Sequence, residues 1–135
     1  MTHPIVALQS ALVAALKADP SLTALVGDAI FDAPPRLAPA PCIVIARHDL
    51  VPRDGDAAPG SDHRVVLHLW HSDASRKAVL AIADRVLAVV LDGALAPAGL
   101  AITNCNHERT DTAIDLDTGA ARAALTLRFF TEASA

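Results

Sequence analysis

A strand followed almost directly by a long amphipathic helix, within Arg64–Leu91, constrains the fold of this chain more than any other feature. The segment Arg64–Trp70 is dense in β-branched and aromatic residues, and Val65, Leu67 and Leu69 recur at period two. After a short polar stretch, the apolar residues recur at the period of an α-helix. Both elements have one apolar face that must be buried, so we expect the rest of the chain to pack on this unit.

The helix is predicted to begin near Arg76 and to end at Gly93, with Ser72 or Asp73 as its N-terminal cap. A helix of about 18 residues is roughly 27 Å long, which is enough to cross a small sheet. The residues predicted to face the sheet are Val79, Ile82, Ala83, Val86, Leu87, Val90 and Leu91.

The N-terminal third is predicted to contain a helix, a short helical turn and a brief extended segment. Apolar residues recur at helical spacing over Ile5–Leu16, and Asp19-Pro20 ends this helix. Residues Ser21–Val26 form the helical turn and Ala29–Asp32 the extended segment. The four prolines of Ala33–Pro41 then predict a stiff crossover on the surface.

Three further strands complete the predicted elements. Cys42–Ala46 is continuously apolar, Leu100–Thr110 is apolar and then polar, and Ala121–Thr131 alternates between apolar and polar residues. The order of helix, strands, long helix and strands is not a regular βαβ alternation. It predicts one α+β domain over residues 1–135, with an antiparallel sheet of about four strands and two main helices packed on one face.

Two polar stretches are predicted to be loops. Residues 48–62 hold two prolines, two glycines and four aspartates, which indicates a long flexible hairpin loop. The stretch Asp111–Gly119 superficially resembles a calcium site because it includes Asp115 and Asp117. It lacks the spacing and the terminal glutamate of an EF-hand loop, so a solvated turn is expected.

The face of the sheet that points away from the helices gives the first indication of function. If Val65 and its period-two partners face the helices, Val66 and Trp70 face outward together with Phe130. Such residues would form an apolar patch of the kind that marks a protein contact. The alternative is that loops of the same chain fold over this face and bury it.

Composition and motifs argue against several classes of function. A formal net charge of −4 and an aromatic content of 3% disfavour a single-strand nucleic-acid binder. No apolar run approaches 18 residues and no signal peptide is evident, so a cytoplasmic protein is expected. Cys42 and Cys105 do not form a C-x-x-C pair, and two buried thiols are expected.

No set of residues predicts an enzyme, a cofactor or a metal site. His68 points to the opposite face of its strand from His63 and His71, which themselves lie about 26 Å apart, so one zinc cannot bind all three. The other histidines have no ligand-spacing partner. The chain has no glycine-rich phosphate loop before a helix and no G-x-S-x-G motif.

Several stretches, taken in order, resemble a known family. They are the Leu8, Leu12 and Leu16 ladder ending in Asp19-Pro20, the strand Pro41–Ile45, the strand Val66–Trp70 before the amphipathic helix, and the closing strand with Leu125–Phe129. Together they resemble the small tail-completion, or tail terminator, proteins of long-tailed bacteriophages and of the phage-derived gene transfer agents.

This resemblance implies a structural protein without catalytic residues that assembles into a six-membered ring on the head-proximal end of a tail tube. The ring would stop tube growth and contact the tail tube protein and the head-connector or stopper protein, with DNA passing through its centre. The free chain would be monomeric where the ring needs its template. It would occupy the bacterial cytoplasm during assembly and then the tail–neck junction of the particle.

The alternatives are a head-completion or stopper protein of the neck, and a small homodimeric ligand-binding or regulatory α+β domain. The expected contact residues come from the outward sheet face and from the predicted hairpin loop. On the face they are Val66, His68, Trp70, Arg128 and Phe130, and in the loop they are Asp49, Arg53, Asp54 and Asp56.

Overall fold

A five-stranded sheet with helices on one face makes up the part of the chain that the structure, a computed structural model, describes: residues 3–33, 40–54, 59–93 and 95–134. The elements are α1 (Pro4–Ala18), α2 (Pro20–Val26), β1 (Ile30–Phe31), β2 (Cys42–Asp54), β3 (Pro59–His71), α3 (Arg76–Leu91), β4 (Leu100–Ile114) and β5 (Ala121–Ala133). Most of the proline-rich stretch predicted to be a crossover, residues 34–39, lies outside this description.

The strand order in the sheet is β1-β2-β3-β5-β4. The four long strands pair antiparallel, and β1 adds a short parallel pairing to β2 at Ile30↔Ile43 and Phe31↔Val44. The predicted α+β class is therefore confirmed. The sheet has one short strand more than expected, and α2 is a third helix.

The predicted loop over residues 48–62 is wrong in its secondary structure. Strand β2 continues to Asp54 and β3 begins at Pro59, so only residues 55–58 separate them, and these lie outside the described residues. The polar composition is tolerated because, among the described residues, β2 has no second neighbour beyond Val44, where its pairing with β1 ends. Pro52, which lacks an N–H group, is acceptable at such a free edge.

A β-bulge at Ala46 decides which side chains of β2 face the helices. Ile45 pairs with Leu67, but Arg47 pairs with Val66, so the register shifts by one residue between them. Past the bulge, His48 lies opposite the buried Val65 on the helix side, and Arg47 moves to the other face. An uninterrupted strand would have placed these two side chains the other way round.

The core lies between the helices and one face of the central strands β3 and β5. Every residue that the alternating pattern assigns to this face is buried, which confirms the prediction: Val65, Leu67, Leu69, Ala123, Leu125, Leu127 and Phe129. The first helix contributes Leu8, Leu12 and Leu16 to the same cluster. Cys42 is buried, Cys105 is half-buried, and both are free thiols.

Helix α3 differs from its prediction at both ends. Its cap is Ser75, whose Oγ accepts a hydrogen bond from the Ala78 N–H at 3.1 Å, rather than Ser72 or Asp73. Leu91 is half exposed, and Val89 is buried in its place. At about 100° per residue, Leu91 lies roughly 120° around the helix from Val79, so it points away from the sheet.

Asp19 joins all three helices. Its carboxylate caps α2 by accepting from the Leu22 N–H at 2.9 Å, and it accepts two hydrogen bonds from the Arg85 guanidinium of α3 at 2.7 and 2.8 Å. The Arg85 hydrogen bonds lower the pKa of Asp19. No single helix in the described ranges is long and apolar enough to span a membrane; α1 and α2 pass that test only as a pair, bent by 87°.

Truncation of Leu12 to alanine tests the packing of α1 on the sheet. Leu12 is fully buried, so Leu12→Ala is expected to lower the free energy of unfolding by about 2–5 kcal/mol. Val6→Ala on the same helix removes a side chain that is half exposed and is expected to change it by less than about 0.5 kcal/mol. Urea denaturation measures both, and equal effects would show that α1 does not pack through its Leu12 face.

Candidate interface on the outer face of the sheet

The sheet face opposite the helices, called the outer face from here on, carries seven of the nine predicted contact residues. Val66, His68 and Trp70 of β3 and Thr126 and Phe130 of β5 are each half-buried there. The face also carries six of the chain's eleven basic residues, all of them arginine, and both lysines lie elsewhere. These arginines are Arg47, Arg53, Arg64, Arg109, Arg122 and Arg128.

Phe130 and its neighbours form a charged end of the outer face. The Arg128 guanidinium donates two hydrogen bonds to the Asp62 carboxylate, at 3.0 and 2.6 Å, and lies 4.7 Å from the centre of the Phe130 ring. The Arg53 guanidinium lies 4.4 Å from the same ring. The hydrogen bonds from Arg128 lower the pKa of Asp62. Both guanidiniums are thus within cation–π distance of the same ring.

Ion pairs continue across the middle of the face. Arg64 Nε donates to Glu108 on β4 at 2.8 Å, and Arg47 Nε donates to Asp49 at 2.8 Å. Most of these side chains are well exposed, so each pair stabilises the monomer little. Arginine, however, is the cation best suited to planar, paired recognition of carboxylates at interfaces.

Trp70 marks an apolar end of the outer face. It lies opposite Cys42, and the next outward pair is Val44 with His68, so Trp70 has buried apolar neighbours on β2. On its other side it pairs with Arg122 of β5, whose Nε is buried and has no hydrogen-bond partner among the described residues.

The expected single apolar patch containing Val66, Trp70 and Phe130 is wrong. The register places Phe130 opposite Asp62, eight residues along β3 from Trp70, which separates the two aromatic residues by about 26 Å. Arg64 and Arg128 lie between Phe130 and Val66. The outer face is thus a strip with a charged end and an apolar end.

The four contact residues expected in a loop have different positions from those predicted. Asp49 and Arg53 lie on β2 and point to the outer face, where they join the arginine pairs. Asp54 is the last residue of β2, and Asp56 lies outside the described residues. Asp62, Arg64 and Glu108 also lie on the outer face and were not among the predicted residues. Asp62 and Arg64 are an even number of residues from Val66 on β3, so the alternation of the strand places them on the same face.

A chain of polar side chains lies on the helix side of the sheet, beneath α1. Gln9 Nε2 is 3.2 Å from His48 Nδ1, His48 Nε2 is 2.8 Å from His63 Nδ1, and His63 Nε2 is 3.0 Å from Thr131 Oγ1. His63 and Thr131 are the two buried polar residues among the described residues. The contact between His48 and His63 was not predicted from the sequence, because the bulge that turns His48 inward has no clear sequence signal.

The hydrogen bonds of this histidine chain require both rings to be neutral. With the Gln9 amide donating, His48 Nδ1 accepts and its Nε2–H donates to His63, whose Nε2–H donates to Thr131. A proton added to His63 Nδ1 would place two N–H donors against each other. Burial and the neighbouring His63 accordingly lower the pKa of His48 to about 4, and burial lowers that of His63.

The described residues hold no group of three or more histidine, cysteine, aspartate or glutamate side chains that could bind a metal ion. Asp115, which suggested a calcium site, instead organises the turn between β4 and β5. Its Oδ1 accepts from the Asp117 N–H at 2.9 Å and from the Thr118 N–H at 3.4 Å.

Comparison with known families gives a match to the family described as tail completion protein gp17, over residues 10–132. The chain belongs to this family. A search of curated proteins finds no match. The tail completion fold covers almost the whole described chain.

Solved structures that share this fold include a particle component and an isolated phage protein. One is a chain of the virion of a native gene transfer agent particle. Its sequence is 23% identical to this one, the TM-score is 0.85, and the match covers 97% of this chain and 99% of that chain. The gp17 protein of bacteriophage SPP1 is 21% identical with a TM-score of 0.60, covering 92% and 88%. The expected resemblance to tail completion proteins is thus confirmed.

The histidine chain predicts how the stability of this tail completion protein depends on pH. Unfolded histidines bind protons below about pH 6.5, whereas folded His48 stays neutral until about pH 4, so the unfolding free energy falls as pH drops through this window. His48→Gln removes one of these groups while keeping a donor for His63. The wild type is expected to lose about 1–3 kcal/mol more than this variant across the window.

Urea denaturation at a series of pH values measures this difference. His107→Gln, on the exposed part of β4, serves as the control and is expected to keep the wild-type slope. If His48→Gln also keeps that slope, the histidine chain does not control the acid sensitivity.

Proposed function

We propose that this protein forms a ring at the head-proximal end of a phage-like tail, ends the growth of the tail tube there and joins the tail to the head. The observation that carries the proposal is the family match over residues 10–132, which makes the chain a tail completion protein. Tail completion is a structural role in a virion or gene transfer agent particle. The matched chain in the gene transfer agent virion, similar over its full length, supports the same setting.

The proposed ring has six copies. A ring needs a heterologous contact, in which two different patches of each copy meet. The outer face supplies one candidate patch, since it combines paired arginines, an aromatic ring held by two guanidiniums, and an apolar end at Trp70. The residues proposed for contact are Val66, His68, Trp70, Arg128, Phe130, Asp49, Arg53, Asp54 and Asp56.

The hairpin of β2 and β3 is the part we assign to contact with the tail tube protein or the head connector. It is a paired extension that carries Asp49 and Arg53 past the end of β1. DNA passes through the centre of the proposed ring. The acidic net charge of −4 suits a channel that lets DNA slide instead of holding it.

Deletion of the gene tests the proposed role directly. Without the protein, tails are expected to lack a defined end, so that tube length varies and filled heads stay unjoined. Electron microscopy of the particles measures tail length and the fraction of heads with tails. Tails of normal length on filled heads in the deletion strain would exclude the proposal.

Substitution of Trp70 tests the outer face as the contact. Trp70→Glu replaces the ring at the apolar end by a charge and is expected to reduce head–tail joining at least tenfold, because the contact loses apolar area and has to desolvate a carboxylate. Val6→Glu, on the helix side, is the control and is expected to join normally. Circular dichroism of the purified variant shows whether it folds, and a folded Trp70→Glu protein that joins heads and tails normally would count against this contact.

A further inference from the structure

The turn between β4 and β5, residues 115–120, presents the most exposed large apolar residue among the described residues. Leu116 is 95% exposed, and it lies between Asp115 and Asp117. A single exposed leucine has no meaning by itself. This one differs because the backbone around it is fixed and because a matching groove exists elsewhere on the chain.

The turn is held by hydrogen bonds within itself. The Asp115 N–H donates to the Ala120 carbonyl oxygen at 2.8 Å, and the Gly119 N–H donates to the Asp115 carbonyl oxygen at 2.7 Å. The Asp115 carboxylate also accepts hydrogen bonds from the backbone N–H groups of Asp117 and Thr118. Leu116 is therefore displayed by a pre-organised turn, which reduces the entropy lost on binding.

A groove of about 550 Å³ crosses the middle of the outer face. Val66 and Thr126, which pair with each other at its centre, form its floor, where the Val66 side chain and the Thr126 methyl group supply the apolar surface. Arg47, Arg64 and Arg109 stand around it, and the side chains of Arg47 and Arg109 are 72% and 73% exposed. We call this the arginine-rimmed groove.

The charges of the turn and the groove are complementary. The groove is lined by three arginines and two carboxylates, Asp49 and Glu108. Asp111 beside it pairs with both Arg109 and Arg122 at 3.4 Å, so four arginines meet three carboxylates here and a small positive charge remains. The turn holds two aspartates and no basic residue. Acidic residues outnumber basic ones outside the outer face, so the exposed arginines of the arginine-rimmed groove are a better electrostatic match for this acidic turn than the helix side is.

The two features cannot meet within one copy. The turn follows the pair Ile114↔Ala121 at one end of the sheet, while the groove is centred on Thr126, five residues along β5 and about 17 Å away. Two distinct complementary patches on one chain are the requirement for a heterologous contact that closes into a ring.

We infer that Leu116 of one copy inserts into the arginine-rimmed groove of a second copy of this chain, with Asp117 facing Arg47 and Arg109. The inference rests on the proposed ring and gives it a specific contact. Within the outer face it assigns the middle to Leu116, with the Phe130 and Trp70 ends on either side of that contact.

Site-specific photo-crosslinking tests this contact in assembled particles. The benzophenone amino acid p-benzoylphenylalanine replaces Leu116, and particles are made from a mixture of unlabelled and ¹⁵N-labelled copies. Mass spectrometry is expected to find crosslinks between copies, to peptides containing Val66, Arg109 or Thr126. The same substitution at Val6 is the control and is expected to give none of these crosslinks.

Other crosslinks separate failure of the contact from failure of the ring. Copy-to-copy crosslinks outside the groove would leave the ring and overturn the contact. Crosslinks only to another particle protein, to DNA or to nothing would also overturn it, because Leu116 would then face a different partner or solvent. Absence of the protein from particles would overturn both this inference and the proposed function.

Charge reversal gives a second, independent test. Asp117→Arg and Arg109→Asp are each expected to lower incorporation into particles at least tenfold, and the double variant is expected to recover most of it. Lys77→Asp, on α3, is the control for loss of a surface cation and is expected to incorporate normally. Two single variants that incorporate like the wild type, or a double variant without recovery, would contradict the pairing.

Discussion

The antiparallel pairing of β3 with β5 is the interaction on which the rest of this structure depends. These strands are the two central members of the sheet, and their register runs without a bulge from Gly60↔Glu132 to His71↔Ala121. Because side chains alternate strictly along both strands, this one register places the core residues against the helices and every charged partner on the outer face. A slip by one residue would exchange the two sets.

Strands β2 and β4, which flank this central pair, contain β-bulges, and these bulges bring polar side chains of different strands together. One bulge in β2 turns His48 under α1, where His63 and Thr131 complete its hydrogen bonds. Strand β4 has two further register shifts, and the second brings Glu108 to Arg64 across the outer face. Bulges thus re-aim side chains where regular strands would have separated them.

Arginine chemistry explains why the outer face suits recognition better than stability. Exposed ion pairs, such as those on this face, contribute little to the folding free energy. Planar guanidiniums instead pair carboxylates with fixed geometry and stack on an aromatic ring, as Arg53 and Arg128 do on Phe130. These properties suit the proposed contact with a partner that offers carboxylates and apolar groups, such as the turn around Leu116.

The α+β class, the central strand and helix, the faces of β3 and β5, and the resemblance to tail completion proteins could all be predicted from the amino-acid sequence, because these depend on local periodicity and residue order. The extent of the β2–β3 hairpin could not be predicted in this way, since Pro52 and the aspartates are typical of a loop. Only the sheet topology shows that β2 is at the edge of the sheet beyond Val44 among the described residues, where such residues are tolerated. The tertiary structure alone decided the pairing of His48 with His63 and the separation of Trp70 from Phe130. Both follow from strand register and bulges, which arise from contacts between segments distant in the chain.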